Sequence, residues 1–171
     1  MNEDFVVRKA CKDDSKDFID LVIELQEFNY KNAIKRGDSK QEAGVNLVLK
    51  KNYDINNFAS WLNNLDEEKK SMVFMAFDTK NKAIGFISAE IEYKKELVVG
   101  KIGYISDLYV KKEYRAKGIA SVLMEKTLDW FKKMKVNHVS LDVDMNNEPA
   151  IKLYSKFGFN KKMFKMSYCK I

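Results

Sequence analysis

The sequence has one histidine, two cysteines and one proline among 171 residues, and each scarcity closes off a class of function. His138 stands alone, and Cys11 and Cys169 lie near opposite ends of the chain. No set of residues therefore has metal-ligand spacing, and neither a metal site nor a structural disulfide is expected. A single proline and no Gly/Ser run leave no linker, so one domain spanning residues 1–171 is expected. No stretch approaches the roughly eighteen consecutive apolar residues of a membrane span, and the N-terminus carries Glu3 and Asp4 instead of a leader's apolar run. A cytoplasmic protein with no membrane partner is expected. The net charge of +6 sets 31 basic against 25 acidic residues with no basic stripe interleaved with aromatics, so no nucleic-acid partner is expected. The excess suits a small polyanionic ligand or an ordinary lysine-rich surface.

What is present is apolar patterning. Hydrophobic residues make up 46% of the chain, enough for a domain that buries roughly two-thirds of its unfolded surface. Phe18, Leu21, Val22, Leu25 and Phe28 recur at three- and four-residue steps, which predicts a helix over 13–35 capped by Asp14 or Ser15. Further helices are predicted over 39–50 and over 55–65, where Phe58, Trp61, Leu62 and Leu65 share a face. Met72–Phe77 and Ala83–Tyr93, joined by a turn at 78–82, predict a hairpin, and Ile102–Val110 adds a third strand to an antiparallel meander. Ile119, Val122, Leu123, Trp130, Phe131 and Met134 line one face of a helix over 118–134. A strand over Val139–Val143, a helix over Pro149–Phe157 with proline in its first turn, and a strand over Met163–Tyr168 complete the order.

One junction rises above this patterning. A strand ending at Val110 is followed by a basic turn, and Arg115-Ala116-Lys117-Gly118-Ile119-Ala120 opens the strongest helix. The free N–H groups of a helix start converge on one point, where the helix dipole adds about half a positive charge. Such a junction suits an anion. Gly118 and Ala120 leave room for close approach, Arg115 and Lys117 offer charge-assisted bonds, and Lys111 and Lys112 extend the basic rim. By itself the segment reads more readily as a C-cap or turn glycine beside surface lysines. Neither G-x-x-x-x-G-K-[ST] nor G-x-G-x-x-G occurs, so a P-loop or dinucleotide fold has no support.

A second segment follows at Asn147-Glu148-Pro149-Ala150-Ile151-Lys152-Leu153-Tyr154-Ser155-Lys156-Phe157-Gly158-Phe159. Residue by residue it reads as an N-cap asparagine and core aromatics. As a pair, R-x-x-G-x-A and N-x-x-A-x-x-x-Y-x-x-x-G-F resemble the two signature motifs of the GCN5-related N-acetyltransferase (GNAT) superfamily, most clearly over 72–159. The resemblance implies an α+β, α/β/α-layered fold with a central mixed, mostly antiparallel V-splayed sheet flanked by helices. It also implies acetyl-CoA as co-substrate, entering between the strands Ile102–Val110 and Val139–Val143. Backbone groups of Leu108, Tyr109 and Val110 would pair with the pantetheine as an added strand. Arg115, Ala116, Lys117, Gly118, Ile119 and Ala120 would hold the pyrophosphate, with Asn147 and Ala150 approaching from the far side and Tyr154 near the sulfur.

The implied activity is an N-acetyltransferase moving an acetyl group directly from the thioester to a primary amine, on a small molecule, a peptide or a protein. The alternative is a non-catalytic acyl-CoA-binding sensor or scaffold. An alkylamine with a pKa of about 10.4 holds its proton by about three units at neutral pH, about 4 kcal/mol, so a base or proton path must help. The departing thiolate needs an acid. The resemblance assigns the acid to Tyr154, and N–H groups around Leu108–Val110, where family members carry a bulge, to the oxyanion. Asp107 is the one carboxylate in that strand and is taken as the base; it reads also as an amine-binding anion or a solvent-facing residue. Tyr104 and Ser106 are candidates for ordering a water, and Asp142 and Asp144 for attracting a cation. Phe28, Tyr30, Trp61, Glu24 and Glu27 are candidates for an aromatic, acidic amine site, or for core and solvated face. After Phe159 only 12 residues remain, too few for the family's closing hairpin, which leaves the acceptor side open or completed by a partner chain in a homodimer.

Overall fold

The computed structural model describes residues 4–38, 60–62, 70–94 and 100–163. Its elements are β1 (Phe5–Lys9), α1 (Ser15–Arg36), β2 (Ser71–Asp78), β3 (Ala83–Lys94), β4 (Gly100–Val110), α2 (Ile119–Lys133), β5 (His138–Leu141) and α3 (Glu148–Lys156). The five strands form one sheet in chain order. β1 to β4 pair antiparallel, while β5 joins β4 in parallel after the crossover through α2, as a parallel neighbour requires. The result is the expected α+β layering of helices on a mixed, mostly antiparallel sheet.

Strand alternation sends successive side chains to opposite faces, and two cores follow from it. On one face Ile84, Ile87, Ala89 and Ile105 pack against Ile119, Leu123, Met124 and Phe131 of α2. On the other, Val73, Met75, Phe86 and Tyr109 pack with Phe18, Leu21 and Leu25 of α1. The apolar stripe predicted for each helix is the face it buries. Gly85 makes a close approach to neighbouring backbone: a Cβ there would lie 2.7 Å from the carbonyl oxygen of Tyr109. Backbone cannot swing aside as a side chain can. Gly85→Ala is therefore expected to lower stability by about 1–3 kcal/mol, read as a fall in the urea midpoint with the slope unchanged.

Several boundaries differ from the sequence reading. No element was expected at Phe5–Lys9, which forms β1 against Phe74–Asp78 of β2. Only Val7 is buried in it and Val6 is exposed, so its pattern carries little alternation and its order comes from pairing with β2. The strand expected to reach Val143 ends at Leu141. Asp14 does stand at the start of α1, yet its carboxylate caps no helical N–H there. It accepts hydrogen bonds from the two terminal guanidinium nitrogens of Arg8, at 2.6 and 2.7 Å, and from the N–H of Cys11 at 2.8 Å. These donors together hold its pKa below the ordinary carboxylate range against the opposing effect of burial. Of the helices predicted over 39–50 and 55–65, only 60–62 lies among the described residues and is helical; the strand predicted over Met163–Tyr168 falls outside them after Met163. Among the described residues no helix is long and apolar enough to cross a membrane.

Candidate active site

The site is built on the point where β4 and β5 part. They pair from Ile102 with His138 to Ile105 with Leu141, and β4 then runs on to Val110 without a strand on that side among the described residues. A bulge falls at the same place: Ala89 pairs with Ile105 but Ser88 with Asp107, leaving Ser106 as the extra residue. In a regular strand Tyr104 and Asp107, three apart, would face opposite ways. The bulge turns both to the face of Ser88 and Glu90, their partners on β3. The expected bulge thus exists, two residues ahead of Leu108–Val110.

Register also decides which backbone groups face the opening. The N–H of Lys111 donates to the Ile84 carbonyl at 2.9 Å, and the pairs Phe86–Tyr109 and Ser88–Asp107 continue that register in steps of two. Tyr109 therefore directs its backbone at β3, whereas Leu108 and Val110 direct theirs into the opening. Of the three β4 residues expected to pair with the pantetheine, two have that orientation.

At the end of β4 the chain makes a short 3₁₀ turn at Lys112–Tyr114, passes through extended Arg115, and takes left-handed φ values at Ala116 (+61°) and Gly118 (+82°). Alternation of hand along a chain folds successive N–H groups into an anion-binding concavity. Intrahelical bonding begins only with Ser121 and Val122, both donating to Gly118 O at 3.0 and 3.1 Å. The donors of Gly118, Ile119 and Ala120 come before that and project from the start of α2. A Cβ on Gly118 would meet nothing within 4 Å, so its glycine serves the left-handed backbone and the open space above it.

Two side chains of the expected basic rim, Arg115 and Lys111, are turned to partners within the protein. Arg115 folds back: its Nε donates to the Val110 carbonyl at 2.9 Å and its guanidinium lies 4.7 Å from the ring centre of Phe28. Lys111 pairs with Glu24 at 2.9 Å, and Lys117 lies 5.3 Å above the ring of Tyr114. Asn147 caps α3, its side-chain oxygen accepting from Ala150 N at 3.3 Å.

Tyr154, on α3, packs half-buried against the α2-side core, with the ring of Phe159 at 6.1 Å. Burial, and secondarily the negative charge of Asp107, push its pKa up to about 12. Asp107 accepts from Ser88 Oγ at 3.2 Å. Its pKa is raised by burial, with the Ser88 bond opposing. By accessible area Asp107 is exposed, yet protein atoms crowd around it. A carboxylate with one edge in solvent and packed neighbours on its other sides satisfies both, and its partial desolvation makes it harder to ionise. Tyr104, also raised, feels burial first and then the charges of Asp142, Asp107 and Glu90. The roles of Ser88 and Glu90 escape a sequence reading, because their contacts depend on register between strands and not on local spacing.

The aromatic and acidic set on the early helices does not assemble into one site. Glu24 accepts from Tyr109 OH at 3.3 Å as well as from Lys111, while Glu27 pairs with Lys31 at 3.8 Å on the surface. Trp61 stacks on Phe18 with ring centres 6.0 Å apart, and Tyr30 is half-buried on α1. Asp144 pairs with Arg36 at the end of α1 and accepts from Asn146 N at 2.9 Å. Asp142 and Ser106 are exposed near the opening.

Parallel strands that part halfway leave, among the described residues, strand backbone without a neighbouring strand, an arrangement that suits a ligand completing the ladder. The same fold is found in glucosamine-6-phosphate N-acetyltransferase from Arabidopsis thaliana, with a TM-score of 0.72 at 22% identity over 96% of this chain and 97% of that one. It is the fold of an N-acetyltransferase. The sequence goes further: residues 39–159 match the Acetyltransferase (GNAT) family, and the chain belongs to that family. An N-alpha-acetyltransferase of Saccharolobus solfataricus is 30% identical over 143 residues, covering 80% of this chain and 82% of its own. An uncharacterized N-acetyltransferase of Methanocaldococcus jannaschii is 25% identical over 158 residues, 92% of this chain; the chain spans 62% of that protein's length.

Proposed function

We propose that the protein moves an acetyl group directly from acetyl-CoA to a primary amine, with the α-amino group of a polypeptide as acceptor. The observation that carries this reading is the edge of β4 at Leu108 and Val110, which no strand among the described residues pairs and which runs from the N–H cluster of residues 116–120 to the neighbourhood of Asp107 and Tyr154. The residues fit such a coenzyme. Free N–H groups at Gly118–Ala120 suit its pyrophosphate, Leu108 and Val110 offer ladder groups to its pantetheine, and Ala150 leaves α3 close to the opening. When bound, the coenzyme supplies an activated thioester acyl group.

The chain's own groups divide the remaining work. The N–H groups of Leu108 and Val110 face the opening where a carbonyl oxygen gains charge, and stabilising that charge is worth more in a site with little water. Asp107, poised above the ordinary carboxylate range, accepts a proton from the incoming ammonium, directly or through a water. Tyr154 stays protonated at neutral pH and hands its proton to the departing sulfur. The acidic surroundings of Tyr104, Asp107 and Asp142 favour a cationic acceptor. The choice of an α-amine is supported by the relative named for that activity.

The test is a thiol-release assay with acetyl-CoA across peptides with free α-amines, the same peptides blocked at the N-terminus but bearing lysine, polyamines and amino sugars. Turnover on free α-amine peptides alone is expected, as is loss of coenzyme binding in Gly118→Trp. Turnover only on polyamines or sugars would overturn the acceptor. Coenzyme binding without turnover on any amine would leave a sensor module in place of an enzyme.

A further inference from the structure

We propose that Arg115 is a positioning residue and not a phosphate ligand: it clamps the coenzyme turn to β4 and to α1. The inference rests on the coenzyme reading above. Its Nε donates to the carbonyl of Val110 at 2.9 Å, closing the segment 110–115 into a short loop. Its guanidinium sits 4.7 Å from the ring centre of Phe28 and 5.8 Å from that of Tyr109. Tyr109 belongs to the core on the α1 face of the sheet, while α2, whose start carries the free N–H groups, packs on the opposite face. The positive charge of Arg115 is thus held towards α1.

Two further contacts share the clamp. Glu24 accepts from Tyr109 OH at 3.3 Å and pairs with Lys111 at 2.9 Å. Glu24 and Phe28 are four apart, on one face of α1, and they hold residues 109, 111 and 115 around Val110. The carbonyl of Val110 faces the opening but is already taken by Arg115. The ladder left for a ligand is the N–H and C=O of Leu108 and the N–H of Val110, so Arg115 also sets where a bound strand must end.

The clamp and a direct phosphate contact make opposite demands on side-chain chemistry. The amide nitrogen of glutamine stands at the same point along the side chain as Nε of arginine, so Arg115→Gln keeps the donor to Val110 and loses the charge. Arg115→Lys keeps the charge and has only a methylene there. Coenzyme A binding is measured by calorimetry at two salt concentrations, with thermal melting of each free variant as a check on folding. Arg115→Gln is expected to bind within about threefold of wild type with the same salt dependence, and Arg115→Lys to bind about five- to tenfold more weakly. Phe28→Leu, on an element that meets the coenzyme nowhere in this reading, is expected to weaken binding by about threefold. Wild-type affinity in Arg115→Lys with weak, less salt-dependent binding in Arg115→Gln would overturn the proposal in favour of a phosphate ligand. Equal affinities for the two variants would also overturn it, since the bond to Val110 would then decide nothing. Failure of the wild type to bind coenzyme A would instead remove the functional reading on which the clamp depends.

Discussion

Tyr154→Phe is expected to lower kcat by about 10²- to 10⁴-fold, the range for losing a positioned proton donor, while coenzyme affinity changes by less than about threefold. The substitution removes one oxygen and leaves the ring that packs against the α2-side core and Phe159. Folding and binding should therefore survive. The phenol's pKa, pushed up to about 12 by burial and then by Asp107, keeps the proton on Tyr154 throughout the pH range in which an amine acceptor is neutral enough to react. A fall of activity at alkaline pH should consequently not trace to Tyr154. Steady-state kinetics read the outcome: an unchanged kcat, or a change confined to the coenzyme KM, would remove Tyr154 from the chemistry.

The second large effect concerns Asp107. Burial raises its pKa, so the carboxyl is protonated, and useless as a base, over a range extending above the ordinary carboxylate values. As pH falls through that raised value, activity should fall with it. Asp107→Asn is expected to reduce kcat/KM by about 10²- to 10³-fold and to abolish that acid limb. The stability effect has the opposite sign from that of a paired carboxylate. A carboxyl whose folded pKa is raised binds its proton more tightly in the folded state, so ionisation at neutral pH works against folding. Asp107→Asn should therefore leave the Tm at neutral pH unchanged or slightly higher. An acid limb that persists in Asp107→Asn would show that another group titrates. A lowered Tm would show that the Ser88 bond outweighs desolvation.

Much of the fold can be read directly from the residues. The three- and four-residue steps of Phe18 to Phe28 and of Ile119 to Phe131 mark α1 and α2 because an amphipathic helix repeats its buried face within a few residues. Asn147 and Pro149 mark the start of α3 for equally local reasons, a side-chain acceptor at the cap and a missing donor in the first turn. The candidate coenzyme turn is legible too, since Gly118 sits where a left-handed backbone opens a helix. β1 was not legible, because a strand with a single buried residue is ordered by its partner and not by its own pattern.

The sequence by itself determined the order of the described elements after β1, the membership of the acetyltransferase family and the two segments that frame the opening, all properties of residues close along the chain. Only the tertiary structure decided how those segments work together. The bulge at Ser106 is a mismatch of count between β3 and β4, and it alone brings Tyr104 and Asp107 to one face. The register at Lys111 turns Leu108 and Val110, but not Tyr109, towards the gap. Arg115 has a long side chain with several partners in reach, and the presence of Phe28 some 87 positions earlier decides between them. Pairing, register and side-chain direction depend on residues that meet only after the chain has folded.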